Sequence, residues 1–423
     1  MTRMKDSGIE WIGEVPEEWV GGNLKYYFEV QLGKMLQPSA INGNDIEIDY
    51  LRAINVQWDN ISVENLSKMW CNPSEVGKYE IKNGDLLVCE GGEVGRCGIV
   101  EHLSDRAIIQ NAVHRIRPTE KADVRFLNYY IQHTTKSKWF DILCNKATIA
   151  HLTSEKLLNT FVVLPAISEQ TQIADFLDKK VAQLDSVKSL LEEQIKTLED
   201  YRKSLIYETV TKGLDKTVPL KDSGVDWIGQ IPEGWGVKKH KYIMSKTKTL
   251  CSHYSGQKIL SLTRQGVISR DVESGKGKMP ASFDGYQFLT RGDLLLCLFD
   301  IDVTPRCVGV VESDGLTSPA YSRFKVSEDS SAYYYYYLFL SMDDDKVLLH
   351  LAKNLRNSLT EDDFGDIETI VPSYKEQVII ANYLNKKTLL IDKSIKLKKE
   401  QIENINKQRQ TLIYDYVTGK RRV

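Results

Sequence analysis

The chain repeats itself, and this repeat constrains its architecture more than any other feature. The stretch DSGIEWIGEVPEEW at residues 6–19 returns as DSGVDWIGQIPEGW at residues 222–235. Two further pairs recur in the same order: residues 83–100 with 291–311, and residues 164–213 with 371–420. An internal repeat of this length predicts two related halves. At 423 residues the chain is also longer than one ordinary core, which stops growing near roughly 250–300 residues.

The last stretch of each half has the heptad period of a coiled coil, with apolar residues at the a and d positions. The predicted seam consists of Leu177, Val181, Leu184, Leu191, Ile195, Leu198 and Leu205 in the first stretch, and of Leu384, Ile391, Ile395, Ile402, Ile405 and Leu412 in the second. It is interrupted by Lys188, Arg202, Lys398 and Arg409, whose long stems can still cover apolar surface.

The ends of these helices carry their own signals. Ser373 followed by Glu376 predicts a capping box at the start of the second helix, and Gly213 suits the end of the first. In the middle of each half, Gly-Asp-Leu-Leu precedes an apolar run and an Arg-Cys pair, at residues 96–97 and 306–307. This pattern predicts a turn followed by a buried strand.

Connectivity predicts how the helices pair. The first helix ends just before the second globular block and the second helix leaves that block, so the end of one and the start of the other must lie close together. The sequence therefore predicts a mixed α/β fold with an internal pseudo-twofold repeat. Two globular domains, residues 1–165 and 215–372, are separated by helices at 166–214 and 373–423 that form an antiparallel coiled coil.

Composition limits the cellular setting. No apolar run approaches the ~20 residues of a membrane helix, and the first residues lack the pattern of a secretory signal. We therefore expect a cytoplasmic protein. The net charge is −2, and only residues 373–423 are clearly basic, with 12 Lys and Arg against 5 Asp and Glu. The seven cysteines lack zinc-ligand spacing, which favours free thiols and no metal site.

In this order of motifs the sequence resembles the specificity subunits of type I restriction-modification systems, the HsdS family. The resemblance covers essentially the whole chain. Its most specific marks are KDSGIEWIGEVPEEW and LKDSGVDWIGQIPEGW at the head of each half, and LPAISEQTQIADFLDKK and VPSYKEQVIIANYLNKK at the start of each helix. It implies that each globular block is a target-recognition domain and each helix a conserved spacer.

The resemblance also implies partners and cofactors. A subunit of this family reads a bipartite site on double-stranded DNA and carries two methyltransferase (HsdM-like) subunits, which motor-nuclease (HsdR-like) subunits join. The chain itself is expected to bind no cofactor: S-adenosylmethionine, ATP and magnesium would act through the partners. Because residues 50–62 and 258–270 occupy comparable positions but share little, the two half-sites should differ.

Candidate base-reading residues are those whose side chains can bond a base edge from a loop, chiefly Arg, Asn and Gln. In the first block they are Arg52, Asn55, Gln57, Trp58, Arg96, Gln110, Asn111, His114, Arg115 and Lys146. In the second block they are Arg264, Gln265, Arg306, Tyr321, Arg323, Asn354, Arg356 and Asn357. For any single residue a surface position or a local hydrogen bond is the more common role.

The repeated tryptophans could stack on bases or pack inside the protein. Trp11, Trp19, Trp227 and Trp235 recur in both halves, and a shared anchor should not differ in what it reads. Packing is therefore favoured, with the repeated stretch docking each block to its spacer helix.

Nothing in the sequence predicts catalysis. CNPSEV at residues 71–76 only partly matches a methyltransferase NPPY motif, and we find no nuclease cluster of carboxylates and lysine. We therefore expect a non-catalytic subunit. The alternative from another class is a coiled-coil adaptor whose two domains bind protein rather than DNA. A standalone restriction enzyme is disfavoured by the missing motifs.

Overall fold

The computed structural model describes residues 3–144, 151–272, 280–352 and 357–423. The chain divides into two compact units: the first unit is residues 1–190 with 400–423, and the second unit is residues 191–399. Each unit contains one globular block and a length of both long helices. The domain limits at residues 165, 214 and 372 stay a prediction about which segments act as domains.

The first block is rich in short strands. Its strands are β1 (Met4–Asp6), β2 (Glu14–Pro16), β3 (Val20–Asn23), β4 (Phe28–Leu32), β5 (Ile46–Leu51), β6 (Val56–Gln57), β7 (Asn60–Ile61), β8 (Ser67–Cys71), β9 (Leu86–Cys89), β10 (Cys97–Ile99), β11 (Ala107–Ile109), β12 (Val113–Pro118) and β13 (Phe161–Leu164). Its helices are α1 (Pro73–Tyr79), α2 (Val124–Lys136), α3 (Trp139–Leu143) and α4 (Ser154–Leu158), with short 3-10 helices at Leu24–Tyr26 and Ala53–Asn55.

The strands of the first block form several small sheets. The main antiparallel sheet has the order β10-β9-β12-β4, and a second sheet has the order β11-β5-β8, in which β11 and β5 are parallel. The remaining pairs are β1 with β2, β3 with β13, and β6 with β7. α2 begins at Asp123, whose carboxylate accepts hydrogen bonds from the backbone N–H groups of Arg125 and Phe126.

The second block repeats this plan with fewer strands. Its strands are β14 (Leu220–Asp222), β15 (Gln230–Pro232), β16 (Gly236–Lys239), β17 (Met244–Lys246), β18 (Leu260–Thr263), β19 (Gly266–Ser269), β20 (Gln287–Leu289), β21 (Leu294–Leu296), β22 (Val308–Val310), β23 (Gly315–Thr317), β24 (Ser322–Val326) and β25 (Glu368–Val371). Its helices are α6 (Ala332–Asp344), α7 (Val347–Leu351) and α8 (Glu361–Asp366), with a 3-10 helix at His240–Tyr242. In chain order α5 (Ile167–Lys212) precedes this block and α9 (Tyr374–Val417) follows it.

The main sheets of the two blocks correspond strand for strand. The order β17-β24-β21-β22 in the second block matches β4-β12-β9-β10 in the first. The second leucine of each Gly-Asp-Leu-Leu stretch gives the register: Leu87 pairs with Gly98, and Leu295 pairs with Gly309. Gly98 and Gly309 are therefore equivalent positions on the edge strand.

This register corrects one reading of the sequence. Gly98 is the second residue after Arg96, whereas Gly309 is the third after Arg306. The two Arg-Cys pairs look equivalent in the sequence but are displaced by one residue in the sheet. Successive side chains on a strand point to opposite faces of the sheet. An alignment of the two strands on their Arg-Cys pairs would therefore assign each side chain to the wrong face.

Both long helices contribute to the core of each unit. In the first unit Leu177 of α5 and Val417 of α9 lie fully buried in one cluster with Trp19 and Phe126. In the second unit the buried cluster joins residues of α5 and α9, such as Val210 and Leu384, to the second block. The largest buried cluster of each unit is therefore shared between its block and both long helices. A fully buried Leu or Val side chain contributes roughly 1.5–3 kcal/mol of hydrophobic stabilisation.

The long helices run antiparallel in each unit, as predicted. In the first unit the ring of Phe176, near the start of α5, lies 4.6 Å from that of Tyr416, near the end of α9. In the second unit Arg202, near the end of α5, lies 3.3 Å from Asp392 in the first half of α9. All thirteen residues of the predicted seam are buried or half-buried.

The predicted helix ends also form. The Ser373 hydroxyl and backbone N–H donate to the Glu376 carboxylate, and the Glu376 N–H donates back to the hydroxyl. Gly213 and Gly419, which follow the last turns of α5 and α9, have φ values of 70° and 69°. This left-handed conformation favours glycine at the end of a helix.

Two of the four repeated tryptophans, Trp19 and Trp235, pack against these glycines, while Trp11 and Trp227 are half-buried. A Cβ placed on Gly419 would lie 3.1 Å from Cζ2 of Trp19, and a Cβ on Gly213 would lie 3.3 Å from Cζ2 of Trp235. Both tryptophans are buried. Each repeated motif thus docks its block onto the end of a long helix, which is the packing role that the sequence favoured.

The cysteines are as the sequence predicts. All seven cysteines are buried free thiols. Within the described residues, no helix combines the length and apolarity needed to span a membrane. In the same part of the chain, no group of three or more His, Cys, Asp or Glu side chains could hold a metal ion.

Candidate nucleic-acid interface

A hairpin with a two-residue turn occupies the same place in both blocks. We name β6–β7, with its turn at residues 58–59, the first reader hairpin, and β18–β19, with its turn at residues 264–265, the second reader hairpin. Both turns carry predicted reader residues. The framework around them repeats, whereas the turn sequences Trp-Asp and Arg-Gln differ.

Each reader hairpin rests on the equivalent glycine of the edge strand. A Cβ on Gly98 would lie 3.1 Å from the backbone oxygen of Gln57, and a Cβ on Gly309 would lie 2.6 Å from Cγ2 of Val267. Any larger residue would push the hairpin away from the sheet. The glycines therefore fix how closely each hairpin approaches its block.

The first reader hairpin presents an exposed Gln57 beside an exposed Arg52. The Gln57 amide donates 2.8 Å to the backbone oxygen of Ile54, and the Asn55 side chain bridges the Arg52 N–H and the Ser62 carbonyl. Asn55 is therefore engaged in shaping the loop. Arg52 and Gln57 have the exposure that base contact requires.

Trp58 and Arg96 are held by neighbouring groups. The indole N–H of Trp58 donates 2.9 Å to Glu93, and the Lys136 ammonium lies 5.4 Å from the centre of the ring. Arg96 donates 2.8 Å to the Ala53 carbonyl and is half-buried. Burial, with the nearby cation of Arg409, lowers the pKa of Lys136. These contacts stiffen the base of the hairpin.

Arg409 of α9 holds the turn of the first reader hairpin. Its guanidinium forms an ion pair with Asp59, whose other oxygen accepts from the Gln132 amide on α2. Arg409 also donates to Gln132 at 3.3 Å and lies 3.6 Å from Asp185 of α5. The Arg409 side chain is 8% exposed, whereas those of Asp59 and Asp185 are 33% and 49% exposed, so the guanidinium is shielded from water while its carboxylate partners remain partly solvated.

The structure argues against His114 and Arg115 as base readers. Both lie on β12, the strand between β9 and β4, and are buried. His114 bonds the Leu152 carbonyl at 2.7 Å, and Arg115 donates to the Glu80 carbonyl. Burial lowers the pKa of both side chains. The polar sequence QNAVHRIR suggested an accessible loop, but its second half forms an internal strand.

Two other predicted readers of the first block lie just before this strand. Gln110 and Asn111 are half-buried in the connection from β11 to β12, where the Asn111 N–H donates 2.8 Å to the Lys34 carbonyl. Lys146 lies outside the described residues.

The second reader hairpin borders an open cavity of about 710 Å³. Arg264 and Gln265 at its turn are exposed, and Arg306 is half-buried in the wall. Arg202 and Asp392 of the long helices line the same cavity. Three predicted readers, Arg264, Gln265 and Arg306, therefore line one cavity. The Arg202–Asp392 pair in its wall is the counterpart, in the second unit, of the Arg409–Asp185 pair.

The structure places Arg323 away from the surface. It is buried, with Nε 2.7 Å from the Asp293 carboxylate and a further donor 2.7 Å from the Thr290 hydroxyl. Like Arg115, it lies on the internal strand of its sheet, where both neighbours cover it.

Two further predicted readers of the second block, Tyr321 and Asn357, are half-buried. The ring of Tyr321 stacks on Phe299 at 6.1 Å. Asn357 has a φ of 47°, and its carbonyl accepts from the Ile301 N–H. Asn354 and Arg356 fall outside the described residues. For every candidate base-reading residue that the structure describes, contact with a DNA base stays a prediction.

Sequence reasoning missed the role of Arg409, which it treated only as an interruption of the seam. One signal was available. Arg202 and Arg409 occupy equivalent positions of the repeat, 207 residues apart, as do Asp185 and Asp392. Oppositely charged residues retained in both copies predict a pair between antiparallel helices.

The structure thus contains two related mixed α/β blocks and, in each unit, an antiparallel pair of long helices. Residues 16–197 match the family model described as the type I restriction modification DNA specificity domain. A candidate type I restriction enzyme MjaX specificity subunit from Methanocaldococcus jannaschii is 23% identical over 97% of this chain and 96% of its own. The EcoBI specificity subunit of Escherichia coli is 33% identical over 41% of this chain and 36% of its own.

Solved structures share the fold. A chain from a study of complex assembly and conformational transition of the type I R-M system superposes with a TM-score of 0.70 at 14% identity, covering 95% of this chain and 98% of that one. The HsdS subunit from Thermoanaerobacter tengcongensis gives 0.51 at 14% identity, covering 96% and 98%. The family-model match over residues 16–197 and the full-length relative support a DNA specificity subunit of the HsdS family, and the solved structures share its fold.

Proposed function

We propose that the chain reads an asymmetric bipartite site on double-stranded DNA, with one half-site for each block. The observation that carries this proposal is the pair of reader hairpins. Each rests on an equivalent glycine of an equivalent sheet, yet one turn carries Trp58 and Asp59 and the other Arg264 and Gln265. A repeated framework with different exposed side chains is suited to reading two different sequences.

The proposed contacts differ between the blocks. In the first block the proposed contacts come from the exposed side chains of Arg52 and Gln57, and Gln suits the N6 and N7 edge of adenine. In the second block Arg264, Gln265 and Arg306 border one cavity, and Arg suits the O6 and N7 edge of guanine. Each bidentate contact of this kind contributes roughly 1–3 kcal/mol of discrimination.

We further propose that the chain scaffolds two methyltransferase subunits, and that motor-nuclease subunits join this complex in the cytoplasm. The partners would bind S-adenosylmethionine, ATP and magnesium. Since the chain carries a net charge of −2, nonspecific attraction to phosphates would come largely from the partners. The two related blocks support two copies of one partner.

Electrophoretic mobility shift of the chain with its methyltransferase tests this function. The duplex probe carries the methylated site mapped in host DNA. We expect the complex to retain this duplex and to lose it when either half-site is scrambled, while the chain alone binds weakly. Equal retention of both scrambled duplexes would contradict sequence recognition.

A further inference from the structure

A groove lies beside the repeated motif in each unit. The first groove, about 840 Å³, lies between residues 7–10 and the segments around α3, α4 and the start of β13. The second groove, about 750 Å³, lies between residues 224–227 and the segments around α7, α8 and the start of β25. These elements are equivalent in the two blocks, so the grooves are two copies of one feature.

The walls of the grooves repeat residue by residue near the motif. Ile9 and Glu10 line the first groove, and Val225 and Asp226 line the second. The last residues of α3 and α7, Leu143 and Leu351, line the opposite walls. Each groove therefore places an apolar side chain and a carboxylate on one wall and a leucine on the other.

The loop that forms the shared wall has the same geometry in both copies. The N–H of Gly8 donates 3.0 Å to Asp6, and the N–H of Gly224 donates 3.0 Å to Asp222. The two glycines have φ values of 71° and 72°. Each groove thus has one preformed wall.

Core packing explains only part of this repeat. Trp19 and Trp235 are buried against the helix ends, and their repetition follows from that packing. Glu10 and Asp226 are exposed, yet both copies keep a carboxylate at this place. Because this repeated carboxylate also lines the same groove in both halves, it points to a ligand that both halves share.

The charge of the grooves favours a protein over DNA. Glu10 and Glu155 face the first groove against one cation, Lys156, whose ammonium is bonded to the His151 carbonyl. The second groove carries four carboxylates, Asp226, Asp363, Asp366 and Glu368, against Lys239 and the neighbouring Lys241, both of which pair with Asp366. Both grooves are net acidic, so they repel phosphates and attract lysine or arginine.

We propose that each groove docks one copy of the same protein partner through a segment in which an apolar side chain is flanked by lysine or arginine. The inference rests on the proposed function, in which the methyltransferase subunit is the partner used twice. It adds the place of contact. The reader hairpins differ between the blocks, whereas the grooves repeat. Each block would therefore combine a DNA-binding surface of its own with a partner-binding surface that is the same in both blocks.

Paired substitutions in the full-length chain test the proposal, with the purified methyltransferase subunit as the probe. Glu10→Lys with Leu143→Ser alters the first groove, and Asp226→Lys with Leu351→Ser alters the second. Glu120→Lys and Glu328→Lys are the matched control, since these exposed carboxylates occupy equivalent loops before α2 and α6. Native mass spectrometry counts the bound copies, and sedimentation velocity measures the affinity.

We expect two copies on the wild-type chain and on the control, one copy on either single-groove variant, and none on the chain altered in both grooves. Binding at an altered groove should weaken at least tenfold. Unchanged occupancy and affinity of the chain altered in both grooves overturn the proposal, and so does loss of both copies from one altered groove. Circular dichroism checks that the variants fold.

A photocrosslinking amino acid gives a second readout in an otherwise unaltered chain. Placed at residue 10 or 226 it should link to the methyltransferase, whereas at residue 120 it should not. Equal crosslinking at all three positions overturns the proposal. If the wild-type chain binds no methyltransferase, the proposed function itself fails. If the chain altered in both grooves still binds two methyltransferase copies on its bipartite duplex, the grooves are not the docking sites, but the proposed function stands.

Discussion

The guanidinium of Arg409 forms an ion pair with the carboxylate of Asp59, although the two residues are 350 positions apart in the chain. Through this pair the second long helix holds the turn of the first reader hairpin. The hairpin is therefore positioned by a helix that belongs to the other half of the sequence.

Removing Arg409 should destabilise the first unit. In Arg409→Ala, the buried amide of Gln132 and the partly exposed carboxylate of Asp59 both lose a charged partner, which should cost about 2 kcal/mol. Arg202→Ala is the control from the repeat. Its partner Asp392 is 56% exposed, so the loss should be about 0.5 kcal/mol. Chemical denaturation measures both, and equal losses would contradict a special role for Arg409.

Substitution of an exposed candidate reader should weaken base discrimination in one half-site only. Gln57→Ala should weaken discrimination in the first half-site, and Arg264→Ala with Gln265→Ala should do so in the second, by about 10- to 100-fold for each lost bidentate contact. Neither change should alter stability, because these side chains are exposed. Methylation rates on duplexes varied in one half at a time measure this effect. An effect spread evenly over both halves would argue against separate readers.

Buried Arg323 should behave in the opposite way. Asp293, its partner, is 3% exposed, so Arg323→Ala leaves a buried carboxylate without its cation and should cost about 3 kcal/mol. Thermal unfolding would report the loss. At a temperature where the variant remains folded, its base preference should match that of the wild-type chain. A changed preference would restore Arg323 as a reader.

Acid should weaken the second unit through His240. Burial between Phe339 and Phe364 lowers the pKa of His240 to about 4, from the usual value near 6.5. Between these values the unfolded chain binds a proton that the folded chain does not, so stability falls as the pH drops from about 6.5 towards 4. The loss should reach about 2 kcal/mol at pH 5.

His240→Asn retains a donor for the Phe364 carbonyl but cannot titrate in this range. Denaturation curves at pH 7 and pH 5 should show a smaller loss for this variant than for the wild-type chain. Identical losses would show that His240 does not carry this part of the pH dependence.

Periodicity and repetition predicted the parts of the fold that depend on local sequence. The seam of α5 and α9, the capping box at Ser373 and the glycine after α5 are all set by residues within a few turns of one another. The packing of Trp19 and Trp235 followed from their repetition, since a repeated apolar residue indicates a shared core.

The sequence did not predict contacts set by distant parts of the chain. Arg115 and Arg323 read as exposed donors, but neighbouring strands bury them in internal positions of the sheets. The Arg-Cys pairs looked equivalent because the residues match, while register is fixed by strand pairing. Arg409 finds its partner only once α9 has returned to the first block.

Sequencing of methylated adenines in host DNA tests the central claim most directly. The chain is compared with a version in which residues 1–160 are exchanged for those of another specificity subunit. We predict a bipartite site in which one half changes and the other stays the same, because each block reads its own half-site. A change in both halves, or a methylated site without two separate halves, would contradict recognition by two independent blocks.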